Sequence, residues 1–140
     1  MSTNTKRLDV RTTQRDQLLD ITTVVQQVVT TIGAPRGVCT VFVPHTTAGV
    51  TINENADPDV GHDLLARLDE MVPWTVPSDR HGEGNSAAHL KAALMGSSTQ
   101  LLVEDGRLSL GTWQGVYFCE FDGPRSRKVW VSVMTDPDSD

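Results

Sequence analysis

The segment over residues 81–91 concentrates the side chains best suited to chemistry. It holds two of the four histidines, His81 and His89, together with Glu83 and a lysine. His81 and Glu83 stand just before a predicted helix and His89 lies on its first turns, so the three side chains can face one point. Neutral imidazoles and carboxylates bind Zn²⁺ and also serve in proton-transfer sites. The segment therefore predicts either a metal site or a proton-transfer site.

A short helix over 85–95 must position these groups. Asn85 is expected to cap it by accepting a hydrogen bond from a free N–H, and Gly96 is expected to end it. Its apolar residues at helical spacing are expected to form the buried stripe: Ala87, Leu90 and Leu94. Residues two apart on a helix point about 200° apart, so Lys91 diverges from His89. Lys91 is therefore either a surface charge or a group that reaches a different subunit's site.

A third histidine, His45, follows an apolar run over 38–43 that predicts a buried strand. If the next strand, over 49–53, pairs with it, Asn53 and Glu54 return to a level similar to that of His45. The alternative for His45 is a strand-end histidine that is hydrogen-bonded to a carbonyl group.

Two downstream features each allow a structural and a functional interpretation. Alternation along its strand places Glu120 on an apolar face, where a carboxylate needs a partner such as Arg125 or Arg127. Glu120 is then either half of a structural ion pair or an acid at the rim of the histidine site. Trp113 is either a core residue on a tight turn or a stacking surface for a heteroaromatic ligand, with Gln114 binding the ligand's edge.

Two polar residues of the helix that is predicted to begin at Pro58 are not expected to contact a ligand directly. His62 lies about 200° around that helix from Val60 and should face solvent. Asp57 caps the helix, with Pro58 at its first position, and is at most a supporting group. The apolar stripe of this helix comprises Val60, Leu64, Leu65, Leu68 and Met71.

The order of the elements favours the α+β class. Helices are predicted over 20–32, where the valines leave a strand as the alternative, from Pro58 to the loop that starts at Pro73, and over 85–95. Strands are predicted over 6–13, 38–43, 49–53, 100–104, 107–110, 116–122 and 127–134. Asp105-Gly106 and Asp122-Gly123 are hairpin signals between consecutive late strands. We therefore expect one domain over 1–140, with a core over about 6–135, in which an antiparallel β-sheet packs against helices.

Composition argues against several classes of protein. The net charge of −6 and the pI near 5.0 oppose a nucleic-acid or membrane-surface binder, which needs a basic patch. Neither the apolar core of a signal peptide nor a run long enough to span a bilayer is found in the sequence. Cys39 and Cys119 lie in apolar runs and are typical of reduced core residues. We expect a cytoplasmic protein with no nucleic-acid or membrane partner.

Three motifs resemble those of the YjbQ-like family of small bacterial and archaeal proteins. They are HTTAGVTINEN at 45–55, HGEGNSAAHLK at 81–91 and GTWQG at 111–115, and the resemblance runs from about Leu8 to Val133. It implies a weak, secondary thiamine-phosphate synthase activity and a homotrimer. We also expect the histidine cluster to lie at a subunit boundary, since one chain of this size has little concave surface to enclose a ligand.

The implied reaction displaces pyrophosphate from an activated pyrimidine and needs a divalent cation, cationic side chains and an aromatic surface. We therefore expect zinc or magnesium on His45, His81 and His89, with a small phosphorylated molecule as partner. The predicted catalytic residues are His45, Asn53, Glu54, His81, His89 and Glu120. The predicted substrate-binding residues are Thr46, Thr47, Asn85, Lys91, Trp113, Gln114 and Arg125. The alternatives are a metal-binding trimeric protein and a metal-assisted hydrolase or lyase.

Overall fold

The structure is a computed structural model that describes residues 2–136. Its elements follow in the order β1 (Ser2–Arg11), β2 (Gln17–Asp20), α1 (Thr22–Ile32), β3 (Arg36–Phe42), β4 (Ala48–Glu54), α2 (Pro58–Met71), α3 (Ser86–Met95), β5 (Ser98–Glu104), β6 (Arg107–Leu108), β7 (Gln114–Glu120) and β8 (Ser126–Thr135). Antiparallel sheets with three helices confirm the predicted α+β class. No helix within residues 2–136 is both long and apolar enough to cross a membrane.

The strands form two antiparallel sheets. One has the order β1-β8-β3-β5-β6 and the other the order β2-β7-β4. The interior position of β3 in the first sheet agrees with the apolar run over 38–43, which predicted a buried strand. The predicted hairpin at Asp105-Gly106 joins β5 and β6. Both turn residues have positive φ, 51° and 74°, as a two-residue hairpin turn of this kind requires.

The second predicted hairpin, at Asp122-Gly123, is wrong. The turn carries the chain from β7 to β8, which lie in different sheets. Gly123 packs against the β1–β2 connection, where its N–H donates to the carbonyl of Arg15 at 3.0 Å. A Cβ at Gly123 would lie 2.2 Å from the carbonyl oxygen of Gln14. A close backbone approach, rather than hairpin geometry, therefore explains this glycine.

The assumed pairing of β3 with β4 is also wrong. β3 lies between β8 and β5, whereas β4 pairs with β7 in the other sheet. The sequence pattern fits both possibilities, β3 paired with β4 or the two strands in different sheets. Periodicity identifies strands but does not identify their partners.

Strand β7 separates two apolar clusters. The larger core lies between the two sheets and α1, and the smaller one lies between the three-stranded sheet and helices α2 and α3. Val116 and Phe118 face the larger core, and Cys119 and Phe121 face the smaller one. Glu120 shares the face of Phe118, as alternation predicted, so its carboxylate lies inside the protein.

Helix α3 buries Ala87, as predicted, but not the two leucines of the predicted stripe. Leu90 and Leu94 are exposed, while three alanines and Lys91 are buried. The small side chains allow α3 to approach β4, where a Cβ at Gly49 would lie 2.6 Å from the carbonyl oxygen of Gly96.

In α2, Asp57 caps the helix by accepting a hydrogen bond from the N–H of Asp59 at 2.9 Å, as predicted. The apolar stripe ends early, because Leu68 is buried but Met71 is exposed. His62 faces solvent, in agreement with its position on the helix.

Candidate functional site

His81 and His89 form an imidazole pair at the amino end of α3. Their ring centroids are 5.4 Å apart and their planes meet at 81°, an edge-to-face arrangement. His81 is exposed in a turn closed by its carbonyl, which accepts the N–H of Gly84 at 3.0 Å. Gly84 has a φ of +70°, which a glycine adopts without strain. The predicted meeting of these two histidines is therefore present in the structure.

Asn85 directly precedes α3, the helix that carries His89, but it does not cap this helix as predicted. Its side chain makes no capping hydrogen bond, and its Nδ2 instead donates to Oδ2 of Asp122 at 2.8 Å. The residue is 5% exposed. Its Oδ1 is buried and has no hydrogen-bond partner among residues 2–136. A competing carboxylate thus removes the cap and leaves one amide acceptor unpaired.

Asp122 also binds Arg125, so two predicted substrate-binding residues meet on one carboxylate. Nη2 of Arg125 lies 3.0 Å from Oδ2 of Asp122, and its Nε donates to the carbonyl of the same residue at 2.8 Å. Asp122 was not predicted as a site residue. The signal was present in the sequence, but the following glycine led to its interpretation as a hairpin turn.

Glu120 forms the structural ion pair rather than a rim acid. It is fully buried, and Arg127, from β8, donates to it through Nε at 2.8 Å and through Nη2. The hydroxyl of Thr12 donates to the same carboxylate at 2.8 Å. Burial alone would raise the pKa of Glu120, but the hydrogen bonds from Arg127, the Asp122 N–H and Thr12 lower it below its usual range. An ionised carboxylate has no proton to donate, so Glu120 does not fit the role of an acid at the rim of the site.

The same ion pair orders the neighbouring chain. Oε2 of Glu120 accepts the N–H groups of Phe121 and Asp122 at 3.1 Å and 3.0 Å. Nη2 of Arg127 donates to the hydroxyl of Thr47 at 2.7 Å, which explains the burial of this predicted site residue. The adjacent Thr46 is exposed. Glu120 therefore holds the segment that presents Asp122 to Asn85.

His45 lies on the Arg127 side of this network. Its Nε2 accepts the backbone N–H of Lys128 at 2.8 Å, so the proton of the neutral ring is on Nδ1. Burial and then the charge of Arg127 lower the pKa of His45, which keeps the ring neutral at pH 7. This resembles the predicted structural alternative, although the backbone partner is an N–H and not a carbonyl.

A three-histidine metal site is not formed within the described chain. Residues 2–136 contain no group of three or more His, Cys, Asp and Glu side chains arranged to hold a metal ion. His45 therefore does not share a coordination sphere with His81 and His89.

Four of the remaining predicted residues lie at the far end of the β4–β7 pair. Asn53 is opposite Gly115 and Glu54 opposite Gln114, whereas the other end pairs Ala48 with Glu120. Six residues of strand separate these ends by about 20 Å. The predicted proximity of Asn53 and Glu54 to His45 is therefore wrong, because it depended on the pairing of β3 with β4.

At this far end Trp113 is 62% exposed, which contradicts its interpretation as a core residue. Gln114 folds back, and its Oε1 accepts the N–H of Gly111 at 2.8 Å. Two residues that were not predicted complete this end. Nδ2 of Asn55 donates to Asp20 at 3.0 Å, and the hydroxyl of Tyr117 donates to the carbonyl of Glu54 at 3.1 Å.

Lys91 occupies neither predicted environment. It is fully buried, and its Nζ lies 2.6 Å from Oδ2 of Asp16 and 2.9 Å from Oδ1 of Asp69. The surface position is therefore wrong, and the structure does not bring Lys91 to the imidazole pair. Its partners could not be predicted from the sequence. Asp16 and Asp69 are far from Lys91 along the chain, and aspartates usually lie on the surface without a buried partner.

Comparison with known proteins identifies a family whose members resemble this chain over nearly its whole length. The profile of a family described as UPF0047 protein YjbQ-like matches residues 6–136. UPF0047 protein YugU of Bacillus subtilis is 54% identical over 129 residues, covering 92% of this chain and 98% of that protein. A UPF0047 protein of Methanothermobacter thermautotrophicus is 39% identical over 142 residues, covering 98% and 96%.

Solved structures agree with the fold. The crystal structure of an uncharacterized conserved protein of the YjbQ/UPF0047 family from Clostridium acetobutylicum superposes with a TM-score of 0.90 at 54% identity, covering 92% of this chain and 99% of that chain. A YbjQ-like protein of unknown function from Sulfolobus solfataricus P2 superposes with a TM-score of 0.91 at 32% identity, covering 96% and 99%.

Proposed function

Because the chain belongs to the UPF0047 protein YjbQ-like family, we propose that its histidine site binds a small phosphorylated molecule and supports a weak, secondary thiamine-phosphate synthase activity. In this reaction the nitrogen of a thiazole phosphate attacks the methylene carbon of a pyrimidine pyrophosphate. A carbon–nitrogen bond forms while the carbon–oxygen bond to pyrophosphate breaks. The site must therefore hold a leaving group that carries several negative charges.

The observation that carries the proposal is the imidazole pair at the amino end of α3, close to Arg125. A helix amino end favours anions through its free N–H groups and its dipole. Arg125 is anchored to Asp122 through Nε and Nη2, while its Nη1 has no hydrogen-bond partner in the described part of the chain. These groups together suit a phosphate or pyrophosphate.

In the proposed reaction His81 and His89 donate ring N–H hydrogen bonds to the departing pyrophosphate, or would hold a divalent ion, when one is bound, beside its oxygens. Arg125 offsets part of its charge. The exposed position of His81 allows it to reach a ligand from the turn, and His89 contributes from the more rigid helix.

A divalent metal, zinc or magnesium, is part of the same proposal. His81 and His89 fit such an ion as two nitrogen ligands, and the unpaired Oδ1 of Asn85 fits as an oxygen ligand. Phosphate oxygens of the substrate suit either ion. When bound, the ion would offset charge on the pyrophosphate.

We further propose a homotrimer with the histidine pair at a subunit boundary. The outer face of the five-stranded sheet exposes Leu102 and Met134 on either side of Val38, and Phe42 further along β3. Exposed apolar side chains of this kind are often covered by other chains. Trp113 is too far from His89 to stack on the same ligand within one chain. A second copy that contributes Trp113 would supply the aromatic surface. Light scattering at micromolar concentration should give three times the mass of the chain, and a monomer would contradict this arrangement.

The synthase proposal is tested by turnover of purified protein in buffers of defined metal content. The expected result is slow formation of thiamine phosphate and release of pyrophosphate. His89→Ala should reduce the rate at least about tenfold, which corresponds to about 1.4 kcal/mol. His62→Ala is the matched control, because His62 is an exposed histidine on another helix. Equal rates for the two variants would exclude the proposed site.

The second candidate is a metal-binding trimer, or a metal-assisted hydrolase or lyase, and the imidazole pair supports it equally. Metal binding that depends on His81 and His89, without turnover of the synthase substrates, would favour the binding protein. Release of phosphate from simple phosphorylated compounds would favour the hydrolase.

A further inference from the structure

Helix α3 packs with its most polar long side chain inward. Lys91 is 0% exposed, whereas Leu90 and Leu94 are 51% and 54% exposed. A rotation of the helix by more than a third of a turn, about 140°, would bury Leu90 and Leu94 and bring Lys91 to the surface. Hydrophobic burial favours that orientation, since a leucine gains and an ammonium group loses free energy when it leaves water. A specific interaction must therefore select the observed orientation.

That interaction is the ion pairing of Lys91 with two carboxylates. Its Nζ donates to Asp16 at 2.6 Å and to Asp69 at 2.9 Å. Asp16 belongs to the β1–β2 connection, and Asp69 to the last turn of α2. The hydrogen bond from Lys91 holds the pKa of Asp69 below its usual range. One buried ammonium thus ties α3 to two other parts of the chain.

The remaining buried face of α3 does little to define its rotation. It consists of Ala87, Ala88 and Ala92, whose small side chains gain less free energy from burial than leucines do. The rotation nevertheless determines where the site residues point, because His89 and Asn85 are rigidly placed on the same helix.

We propose that Lys91 is a positioning residue of the histidine site. Its ion pairs with Asp16 and Asp69 select the rotation of α3 that directs His89 to His81 and Asn85 to Asp122. Lys91 acts through the helix and does not contact a ligand. Its effect on ligand binding rests on the proposed function, whereas its effect on the helix does not.

Thiol labelling measures the rotation directly. In Leu94→Cys the new thiol lies on the exposed side of α3 and should react rapidly. Burial raises the pKa of Cys39 to about 11 and that of Cys119 to about 12, so the native thiols stay unreactive near pH 8. Adding Lys91→Met should slow labelling at position 94 at least about tenfold, since the helix turns and buries it. An unchanged rate in a folded protein would overturn the proposal.

Arg15→Met is the matched control. Arg15 contacts the same two carboxylates, Asp16 at 2.8 Å and Asp69 at 3.1 Å, but it does not belong to α3. Labelling in this background should match the parent, and an equal loss in both backgrounds would reject the specific role of Lys91. If Lys91→Met does not fold, Asp69→Asn removes one charge at a half-exposed position and tests the same contact, with slower labelling expected and an unchanged rate contradicting the proposal.

The imidazole pair provides a spectroscopic readout. Each ring shifts the proton resonances of the other, so Lys91→Met should change the signals of His81 and His89 but not those of His62. Titration with inorganic pyrophosphate should show at least about tenfold weaker binding in the same variant. Altered histidine signals with unchanged pyrophosphate binding would support the role of Lys91 and reject the proposed function. Unaltered histidine signals would overturn the role of Lys91 itself.

Discussion

The two ends of the β4–β7 pair treat polar side chains in opposite ways. At the Ala48 end, Glu120 and Arg127 are buried and hydrogen-bonded to each other and to their neighbours. At the Glu54 end, Trp113 lies on the surface, and the side chain of Gln114 folds back to accept the N–H of Gly111. The first end is therefore a rigid support for the segment that carries Asp122, and the second is a surface available to another molecule.

This difference separates residues that build a site from residues that a ligand or another chain can reach. Both ends carry side chains of the types expected in an active site. Only burial and partners show that Glu120 is occupied by Arg127, whereas the indole of Trp113 is accessible. Residue type alone is therefore a poor guide to role in this protein.

The largest effect is expected at the buried end. Glu120→Ala leaves Arg127, which is 6% exposed, without its carboxylate and should cost about 3–5 kcal/mol of unfolding free energy. Urea denaturation measures this cost. Glu83→Ala, at an exposed position in the histidine loop, is the control and should stay within about 0.5 kcal/mol. Similar costs for the two variants would show that the Glu120–Arg127 ion pair does not stabilise the buried end.

The buried end should also govern stability at low pH. The pKa of Glu120 is lower in the folded protein than in the unfolded chain, because its hydrogen bonds outweigh burial. Its contribution is therefore complete above the unfolded value of about 4.3 and is lost as the pH falls toward the folded value. Urea midpoints measured from pH 7 to pH 3 should fall more for the parent than for Glu120→Gln. Parallel curves would show that Glu120 does not titrate in this way.

A smaller cost is expected from crowding between Gly115 and the side chain of Asn55 at the far end. A Cβ at Gly115 would lie 2.3 Å from Nδ2 of Asn55, so Gly115→Ala should cost about 1–3 kcal/mol. Gly82→Ala in the histidine loop is the control, because nothing lies within 4 Å of its Cβ position. Thermal unfolding compares the two variants, and equal melting temperatures would mean that Asn55 moves aside freely.

The smallest effect on stability is expected for Trp113→Ala, within about 0.5 kcal/mol, because the side chain is mostly exposed. Its effect on binding tests whether the two ends serve one composite site. Affinity for a pyrimidine pyrophosphate should fall, whereas affinity for pyrophosphate alone should not change. His89→Ala should weaken both. Calorimetric titration that finds no effect of Trp113→Ala on either ligand would separate the two ends functionally.

Most of the elements could be predicted because each depends on local rules. The capping of α2 by Asp57, the end of α1 at Gly33 and the hairpin at Asp105-Gly106 all follow from chain-local geometry. The convergence of His81 and His89 was predictable for the same reason. His81 lies in the turn that leads directly into α3, and His89 lies in the first turns of that helix.

The errors arose where a local pattern has two tertiary solutions. Asp122-Gly123 has the composition of a hairpin turn, but the chain crosses between sheets because Gly123 fits against Gln14. The stripe of Leu90 and Leu94 satisfies helical spacing, yet the partners of Lys91 orient the helix differently.

The sequence by itself therefore determined the α+β class, most element boundaries, the inward face of Glu120 and the family, since propensity, period and motif are properties of neighbouring residues. Only the tertiary structure decided which strands pair, which face α3 buries and which polar groups are already occupied. These outcomes depend on contacts between residues far apart in the chain, such as Lys91 with Asp16, whose free energies no local window contains.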